Sequence, residues 1–219
     1  MGTLRVLVAG ANEIARKGLC AVVRDQPGWE IAAVAGDGRE AVKRTEQSRP
    51  DVAILDIDMP SLNGLEATRQ IAKSTKRTKV LLLAPQDTDH FLPKALEAGA
   101  HGYLLKSDPA ADVVSALEAL RGGGSFYSAT VPREVLDKFL ASLEKPRRLE
   151  GTNTPRLTGR EREVVQLLAE GHSSKQVATA LNISTKTATT HRANIMLKID
   201  CHSVAGVVRY AIRNHIIEA

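Results

Sequence analysis

The chain has 219 residues, is 43% hydrophobic and carries a formal net charge of +5. This length suits two modest domains, and no apolar stretch approaches the roughly 20 residues that a membrane-spanning helix needs. The N-terminus shows no signal-peptide pattern, so we expect a cytoplasmic protein with no membrane partner. Cys20 and Cys201 lack the spacing of metal or redox sites, and we read both as buried apolar residues.

The positive charge is concentrated in the second half of the chain. Residues 1–130 hold 16 basic and 16 acidic residues, whereas residues 157–219 hold 8 basic and 5 acidic residues. A neutral first half and a basic second half indicate that the second half meets a polyanion.

The first 120 residues alternate short apolar runs with amphipathic segments. Because parallel pairing needs crossover connections, this alternation predicts a flavodoxin-like α/β fold with a five-stranded parallel sheet in the order 2-1-3-4-5. Pro93 lies inside the fourth helical segment and predicts either a late helix start, near Phe91, or a kink. The predicted strands are 4–9, 30–34, 51–56, 79–83 and 101–105, and the predicted helices are 13–25, 38–48, 63–73, 88–98 and 109–120.

One carboxylate marks the crevice of this predicted sheet. Asp56 closes the apolar run of the third strand, at the carboxyl edge where open α/β sheets bind ligands and carry their chemistry. The first strand ends at the same crevice, but in Gly10 and Ala11 rather than in further acids. The sequence therefore predicts a functional aspartate with few acidic neighbours.

A break at Gly122-Gly123-Gly124 separates this first domain, 1–124, from the rest of the chain. We predict a linker over 125–156 with an amphipathic helix near 132–143, and an all-α four-helix domain over 157–219. Its first helix begins at a Thr158/Glu161 capping box and ends near Glu170, and Ser184 caps the third. The other helices are predicted over 175–181, 185–199 and 203–214. A short helix, a tight turn and a longer helix form a helix-turn-helix, which places the longer helix in the major groove of DNA.

Specific motifs give the chain a family resemblance. Residues 3–121 resemble response-regulator receiver domains, and residues 157–216 resemble the LuxR/GerE-type helix-turn-helix. Together they resemble a NarL/FixJ-family response regulator. The motifs are Pro50-Asp51-Val52, Leu55-Asp56-Ile57-Asp58-Met59-Pro60, Asn63-Gly64-Leu65-Glu66-Ala67, residues 95–106, and the pattern from Thr158-Gly159-Arg160-Glu161 through Lys198.

The resemblance implies roles for the residues around the crevice. In that family the position of Asp56 is phosphorylated, a lysine matching Lys106 reads the phosphoryl group, and an aromatic residue matching Tyr103 acts as a switch. Tyr103 can equally be static packing. The chain departs from the family at the acidic pair that holds Mg²⁺ and at the switch hydroxyl, where it has Gly10, Ala11 and Ala84.

These departures predict a receiver with altered chemistry. Mg²⁺ needs near-octahedral oxygen ligands, and only Asp56, the carbonyl of Asp58 and water remain to supply them, so we expect weak or absent Mg²⁺ binding and no cofactor. Without charge neutralisation, phosphoryl transfer loses its main catalytic contribution. We therefore predict an atypical receiver that works independently of aspartyl phosphorylation, in which Asp56 pairs with Lys106 at rest.

Three alternatives remain open at this point. Glu13 or Asp58 can swing in as substitute metal ligands. The chain can be a conventional regulator that is phosphorylated at Asp56 by a histidine kinase. Alternatively, the receiver fold can sense a small ligand or a protein partner in a roomier crevice. An enzyme is not expected, because the sequence shows no nucleophile and base set, no metal cluster and no glycine-rich phosphate loop.

The third helix of the second domain carries the predicted DNA contacts. The resemblance implies that Thr189, Thr190 and Ala193 face base edges. Threonine can touch a thymine methyl group or form a hydrogen bond, but it cannot make the bidentate guanine contact of arginine. His191 can instead make a helix-surface hydrogen bond. Phosphate contacts are expected from Lys175, Lys186, His191, Arg192, Asn194 and Lys198.

The last predicted helix bears on the oligomeric state. Its apolar positions serve either the domain core or, as the family implies, a dimer contact. We therefore expect a homodimer on a two-fold-related site in double-stranded DNA. These positions are Val204, Val207, Val208, Ala211 and Ile212.

Overall fold

The computed structural model describes residues 2–85, 88–129, 131 and 157–218. These residues form two compact units, an α/β unit in the first half of the chain and a helical unit in the second. The helix predicted near 132–143 and the remainder of the linker up to 156 lie outside the described residues. No helix within the described ranges is long and apolar enough to cross a bilayer.

The α/β unit alternates strands and helices as the sequence predicts. Its sheet is parallel throughout and has the order β2-β1-β3-β4-β5-β6. The strands are β1 Leu4–Ala9, β2 Trp29–Ala35, β3 Val52–Asp56, β4 Lys79–Ala84, β5 Gly102–Leu105 and β6 Phe126–Tyr127, and the helices are α1 Glu13–Arg24, α2 Gly38–Ser48, α3 Gly64–Ser74, α4 Thr88–Ala98 and α5 Ala110–Arg121.

Both faces of the sheet are covered by helices. The central strands are nearly continuous apolar runs, which is typical of parallel strands that are buried on both faces. Helices α1 and α5 pack on the face that carries Val6, Val8 and Ile54. Helices α2, α3 and α4 contact one another in series, which gives them the opposite face, as a doubly wound sheet requires.

A sixth strand extends the sheet beyond the five that the sequence predicts. The two-residue strand β6 pairs with β5, so that Gly102 lies opposite Phe126 and Tyr103 opposite Tyr127. Two residues are too short to show a strand period. The predicted count of five is therefore one strand short, and the sheet continues to Tyr127, past the expected boundary at 124.

Helix α4 does not start late. It runs from Thr88 to Ala98 with Pro93 inside it, so the predicted span 88–98 is confirmed and the alternative of a start near Phe91 is wrong. Proline removes one intrahelical hydrogen bond and crowds the carbonyl four residues earlier. In this segment the helix nevertheless continues through that position.

The second unit consists of four helices, as predicted: α6 Gly159–Ala169, α7 Ser174–Leu181, α8 Thr185–Lys198 and α9 Val204–Arg213. The predicted capping box of Thr158 and Glu161 is present, and Ser184 caps α8. Helix α7 begins one residue earlier than predicted, because Ser173 and Gln176 form a capping box of their own. The core is aliphatic and includes Val164, Leu168, Val177, Leu181, Ala188, Ile195, Val207 and Ala211.

The turn between α7 and α8 fixes the angle of the longer helix. Asn182 ends α7 in the left-handed conformation, with φ 50° and ψ 51°, which asparagine tolerates better than most residues. The backbone N–H of Ile183 then donates to the carbonyl of Ala178 at 3.0 Å. This compact turn completes the predicted helix-turn-helix.

Candidate functional site

The carboxyl ends of β1 and β3 bring Gly10 and Asp56 together. Ala9 pairs with Leu55 in the sheet, so the next residue of each strand lies at the same edge. A Cβ atom built on Gly10 would lie 3.3 Å from Cβ and 3.6 Å from Oδ2 of Asp56. The side chain of residue 10 therefore decides what stands beside this carboxylate, and glycine leaves that position without an oxygen.

Lys106, just after β5, is the cation of this crevice. Its Nζ lies 2.8 Å from Oδ1 of Asp56 and 2.8 Å from Oδ2 of Asp58. The backbone N–H of Asp58 also donates to Oδ1 of Asp56 at 2.9 Å. The predicted resting pair of Asp56 and Lys106 is confirmed, and Asp58 joins it as a second carboxylate. The side chains of Asp56 and Asp58 are 15% and 19% exposed, and that of Lys106 is 41% exposed.

Burial and pairing act in opposite directions on these groups. Burial raises the pKa of Asp56, and the hydrogen bonds from Lys106 and from the Asp58 amide only partly offset it. Burial alone would lower the pKa of Lys106, but its hydrogen bonds to both carboxylates outweigh burial and raise it. The two directions agree physically, because the more exposed ammonium loses less hydration than the more buried carboxylate.

Arg16 brings a second cation to the crevice, and the sequence analysis did not single it out. Its guanidinium donates to the carbonyl of Gly10 at 2.5 Å and to that of Ala11 at 2.8 Å. The one feature of the sequence that could have indicated a role for Arg16 in the crevice is its place near the start of the helix that follows β1. Arg16 therefore engages the two backbone oxygens that lie where the family has its acidic pair.

This donor set does not fit a resident Mg²⁺ ion. The side chains of Gly10 and Ala11 supply no oxygen, and Lys106 is bonded to both Asp56 and Asp58. A divalent cation would have to compete with an ammonium for each carboxylate, whereas Mg²⁺ sites in proteins usually offer it one or two carboxylates. Within the described part of the chain, no group of three or more His, Cys, Asp or Glu residues is placed to hold a metal.

The remaining crevice residues lie in the strands themselves. Ala84, the last residue of β4, is fully buried, and its carbonyl accepts the backbone N–H of Lys106 at 2.8 Å. Its methyl side chain offers no hydrogen bond at the position of the family's switch hydroxyl. Tyr103, in β5, is fully buried as well, which matches the packing alternative for this residue. Glu13 pairs with Lys17 at 2.7 Å instead of turning toward Asp56.

In the second unit, α8 presents an exposed surface of small side chains with one charged residue, a lysine near its start. Lys186, Thr189, Thr190 and Ala193 are exposed and share one face, because they follow the i, i+3, i+4, i+7 spacing of a helix. Asn194 is also exposed. The helix contains no acidic residue. The sequence-predicted base-facing residues therefore lie together on an exposed surface, which we call the α8 face.

The predicted phosphate contacts fall into three groups. Lys186 and Asn194 lie on or next to the α8 face, and Lys175 is exposed in the first turn of α7. His191 and Arg192 are half-buried beside the α8 face. Lys198 instead forms an ion pair with Glu161 within the unit.

Lys198 holds two helices together. Its Nζ donates to Oε2 of Glu161 at 2.8 Å, and the two side chains are 31% and 17% exposed. The same carboxylate accepts the backbone N–H of Thr158 in the capping box. Burial would raise the pKa of Glu161, but these bonds outweigh it and lower the pKa. Lys198 therefore ties α8 to the start of α6, a role that the sequence analysis did not assign.

Comparison with known proteins identifies both units. Residues 6–118 match the model of the response regulator receiver domain, and residues 155–211 match that of bacterial regulatory proteins of the luxR family. The chain belongs to the luxR-family response regulators. This response regulator is 35% identical to the transcriptional regulatory protein LiaR of Bacillus subtilis (strain 168), over 98% of this chain and 99% of LiaR.

Two further similarities extend along nearly the whole response regulator. It is 30% identical to the oxygen regulatory protein NreC of Staphylococcus epidermidis (strain ATCC 12228 / FDA PCI 1200), over 98% of this chain and 100% of NreC. The crystal structure of ChrA, a response regulator in a heme-sensing two-component system, is 30% identical and covers 99% of this chain and 100% of its own, with a TM-score of 0.50. The prediction of a DNA-binding regulator that is not an enzyme is confirmed by these relatives and family models.

Proposed function

We propose that this response regulator binds double-stranded DNA as a homodimer and regulates transcription without phosphorylation of Asp56. The observation that carries this proposal is the position of Lys106, whose ammonium lies 2.8 Å from both Asp56 and Asp58. Lys106 thus offsets one of the two carboxylate charges in the crevice, and Arg16 brings the second cation.

The chemistry of phosphoryl transfer supports this proposal. Such transfer depends on positioning and on neutralising the charge that develops on the phosphoryl oxygens. Oδ1 of Asp56 is engaged by Lys106 and by the Asp58 amide, and Arg16 is engaged by backbone carbonyls. Neither cation is therefore free to meet an incoming phosphoryl group. Ala84 also offers no hydroxyl that could report one.

The proposed DNA contacts divide between bases and phosphates. Thr189, Thr190 and Ala193 face the base edges, while Lys175 and Lys186 contact phosphates on either side. The half-buried His191 and Arg192 and the exposed Asn194 add contacts from the margin of the α8 face. Contacts to phosphate make the affinity depend on salt, and contacts in the groove determine the sequence preference.

The proposed dimer uses the outer side of α9. Val207 and Ala211 are buried in the domain core, whereas Val204 is 40% exposed and Val208 and Ile212 are half-buried. The helix thus divides its apolar residues between the core and an outer stripe at i, i+4, i+8 spacing. A second copy of the chain would cover this stripe and give two-fold symmetry on DNA.

We further propose that the receiver-like domain, predicted over 1–124, extends through β6 at Phe126–Tyr127, that a linker follows it up to 156, and that a DNA-binding domain covers 157–219. A histidine kinase or another protein would supply the input to the receiver-like domain.

The test combines chemistry at Asp56 with DNA binding by the full chain. We expect no adduct on Asp56 by intact mass after incubation with acetyl phosphate and Mg²⁺, and equal DNA affinity for the wild type, Asp56→Asn and Asp56→Glu. The double variant Gly10→Asp/Ala11→Asp is the matched control that restores the acidic pair. A stable, Mg²⁺-dependent adduct on the wild type that promotes dimerisation would overturn the proposal.

A further inference from the structure

The hydroxyl groups of the two threonines on the α8 face both donate hydrogen bonds within the helix. Oγ1 of Thr189 donates to the carbonyl of Thr185 at 2.9 Å, and Oγ1 of Thr190 donates to the carbonyl of Lys186 at 3.0 Å. A hydroxyl has one proton to donate and two lone pairs that accept. Each threonine therefore offers a partner its methyl group and a hydrogen-bond acceptor, but no donor while these bonds last.

The neighbouring exposed residues extend this apolar character along the helix. Ala193 adds a methyl group one turn after Thr189, and Leu197, one turn further on, is 76% exposed. The arginine of this helix, Arg192, is half-buried beside the α8 face rather than on it. The centre of the α8 face is therefore rich in methyl groups.

The major groove presents different chemistry at each base pair. Guanine offers two acceptors, O6 and N7, and needs a donor from the protein. Thymine offers a methyl group, and its partner adenine offers an amino group that donates. A side chain with a methyl group and an acceptor matches the A·T pair, and it fails to match the acceptor pair of guanine. Cytosine also donates through its amino group, so the contact between methyl groups is what distinguishes A·T from G·C.

We infer that Thr189, Thr190 and Ala193 select A·T base pairs by packing against thymine methyl groups. This inference rests on the proposed function, in which α8 enters the major groove. Thr189 and Thr190 can accept from the adenine amino group without breaking their intrahelical bonds. A donated bond to guanine would require each hydroxyl to leave its carbonyl.

The first experiment removes the methyl groups from the DNA. Binding sites are selected from a random duplex pool with the full-length protein, and the selected site is then resynthesised with uracil in place of each thymine in turn. We expect A·T pairs at the centre of each half-site, and a loss of about fourfold in affinity for each thymine methyl group that is removed there. Equal affinity for thymine and uracil throughout the half-site would overturn the inference.

The second experiment removes the methyl group from the protein. Thr189→Ser keeps the hydroxyl and loses the methyl group, so it should lose the preference for thymine over uracil at one position. Thr189→Val keeps the methyl group and the shape but loses the hydroxyl, so it should keep that preference. The reverse result, with discrimination retained by serine and lost by valine, would overturn the inference.

The outcomes also separate this inference from the proposed function. If no sequence is enriched and the protein does not bind duplex DNA, the proposed function is wrong. If a sequence is enriched but its half-site places G·C pairs opposite these residues, only the inference about thymine is wrong.

Discussion

Replacing Lys106 with methionine should destabilise the receiver-like domain by about 2 kcal/mol. The variant leaves Asp56 and Asp58 largely buried without the ammonium that lies 2.8 Å from each. A hydrogen bond to a charged group contributes roughly 1.5–3 kcal/mol, but the side chain of Lys106 is 41% exposed. Water therefore screens the interaction of Lys106 with both carboxylates, and the two hydrogen bonds together contribute well below the sum of two fully buried ones. For a domain of this size, the melting temperature should drop by roughly 6–10 °C.

The assay can follow this domain within the full-length protein. The chain has one tryptophan, Trp29, and it lies in β2 of the receiver sheet. Thermal unfolding monitored by tryptophan fluorescence therefore reports on this domain alone, without removing the DNA-binding domain. The matched control is Lys17→Met, which removes a largely exposed ion pair with Glu13 and should change the stability by less than about 0.5 kcal/mol.

The effect of Lys106→Met should also depend on pH. The folded state raises the pKa of Lys106, so its stabilisation is complete below its unfolded pKa, near ~10.4, and is lost as the pH rises through the folded value. At low pH, Asp56 becomes protonated and the ammonium loses this partner. Because burial raises the pKa of Asp56, the difference between wild type and variant should begin to shrink above the ordinary aspartate value, near ~4. Equal melting at pH 7, or a loss that is just as large in acid, would refute this reasoning.

Three further predictions use the same protein. Gly64→Ala should destabilise the receiver-like domain by about 1–3 kcal/mol, because the new Cβ would lie 2.3 Å from the carbonyl oxygen of Asp56. The control is Gly18→Ala, whose Cβ would have nothing within 4 Å and which should stabilise the domain slightly. Equal effects of the two substitutions would contradict the steric explanation. Burial raises the folded pKa of Asp56, so this residue favours folding below its unfolded pKa, and that stabilisation is lost as the pH rises. The variant Asp56→Asn should therefore melt at or above the wild-type temperature at pH 7, and this advantage should vanish in acid. A lower melting temperature of the variant at pH 7 would contradict the prediction. Lys198→Met and Glu161→Gln should lower the stability of the DNA-binding domain by about 1 kcal/mol each and leave the salt dependence of DNA binding unchanged, whereas a phosphate contact by Lys198 would reduce the slope by about one.

The sequence predicted the architecture well because its local signals agree with one another. Apolar runs, helix caps and crossover lengths all indicate a parallel doubly wound sheet followed by a helix-turn-helix, and the structure has both. The misses have physical causes. Strand β6 is too short to show a period, and Pro93 left a late start of α4 open although the helix spans the predicted 88–98.

The candidate site was predictable where the topology alone brings residues together. Asp56 ends β3 and Lys106 follows β5 at the same edge of the sheet, so their pairing could be expected. The bonds of Arg16 to two carbonyls, and of Lys198 to a carboxylate 37 residues away in the chain, depend on long side chains and tertiary packing. No sequence period encodes these partners. The hydrogen bonds from the hydroxyls of Thr189 and Thr190 to carbonyls one turn earlier depend on the side-chain rotamer, which the sequence pattern does not specify either.

The charges in the crevice support the proposal of a receiver that works without phosphorylation of Asp56. Asp56 and Asp58 contribute two negative charges, and Lys106 and Arg16 contribute two positive charges, so the crevice is neutral without any ion. If acids stood at positions 10 and 11, these two added to the four groups would bring the net charge of the crevice to −2, which a divalent cation would balance. Added to the present crevice, that cation would instead leave an excess of +2 beside partly buried groups, at a high electrostatic cost. We therefore expect a signal that reaches this domain to act through contact with a partner rather than through a change of charge at Asp56.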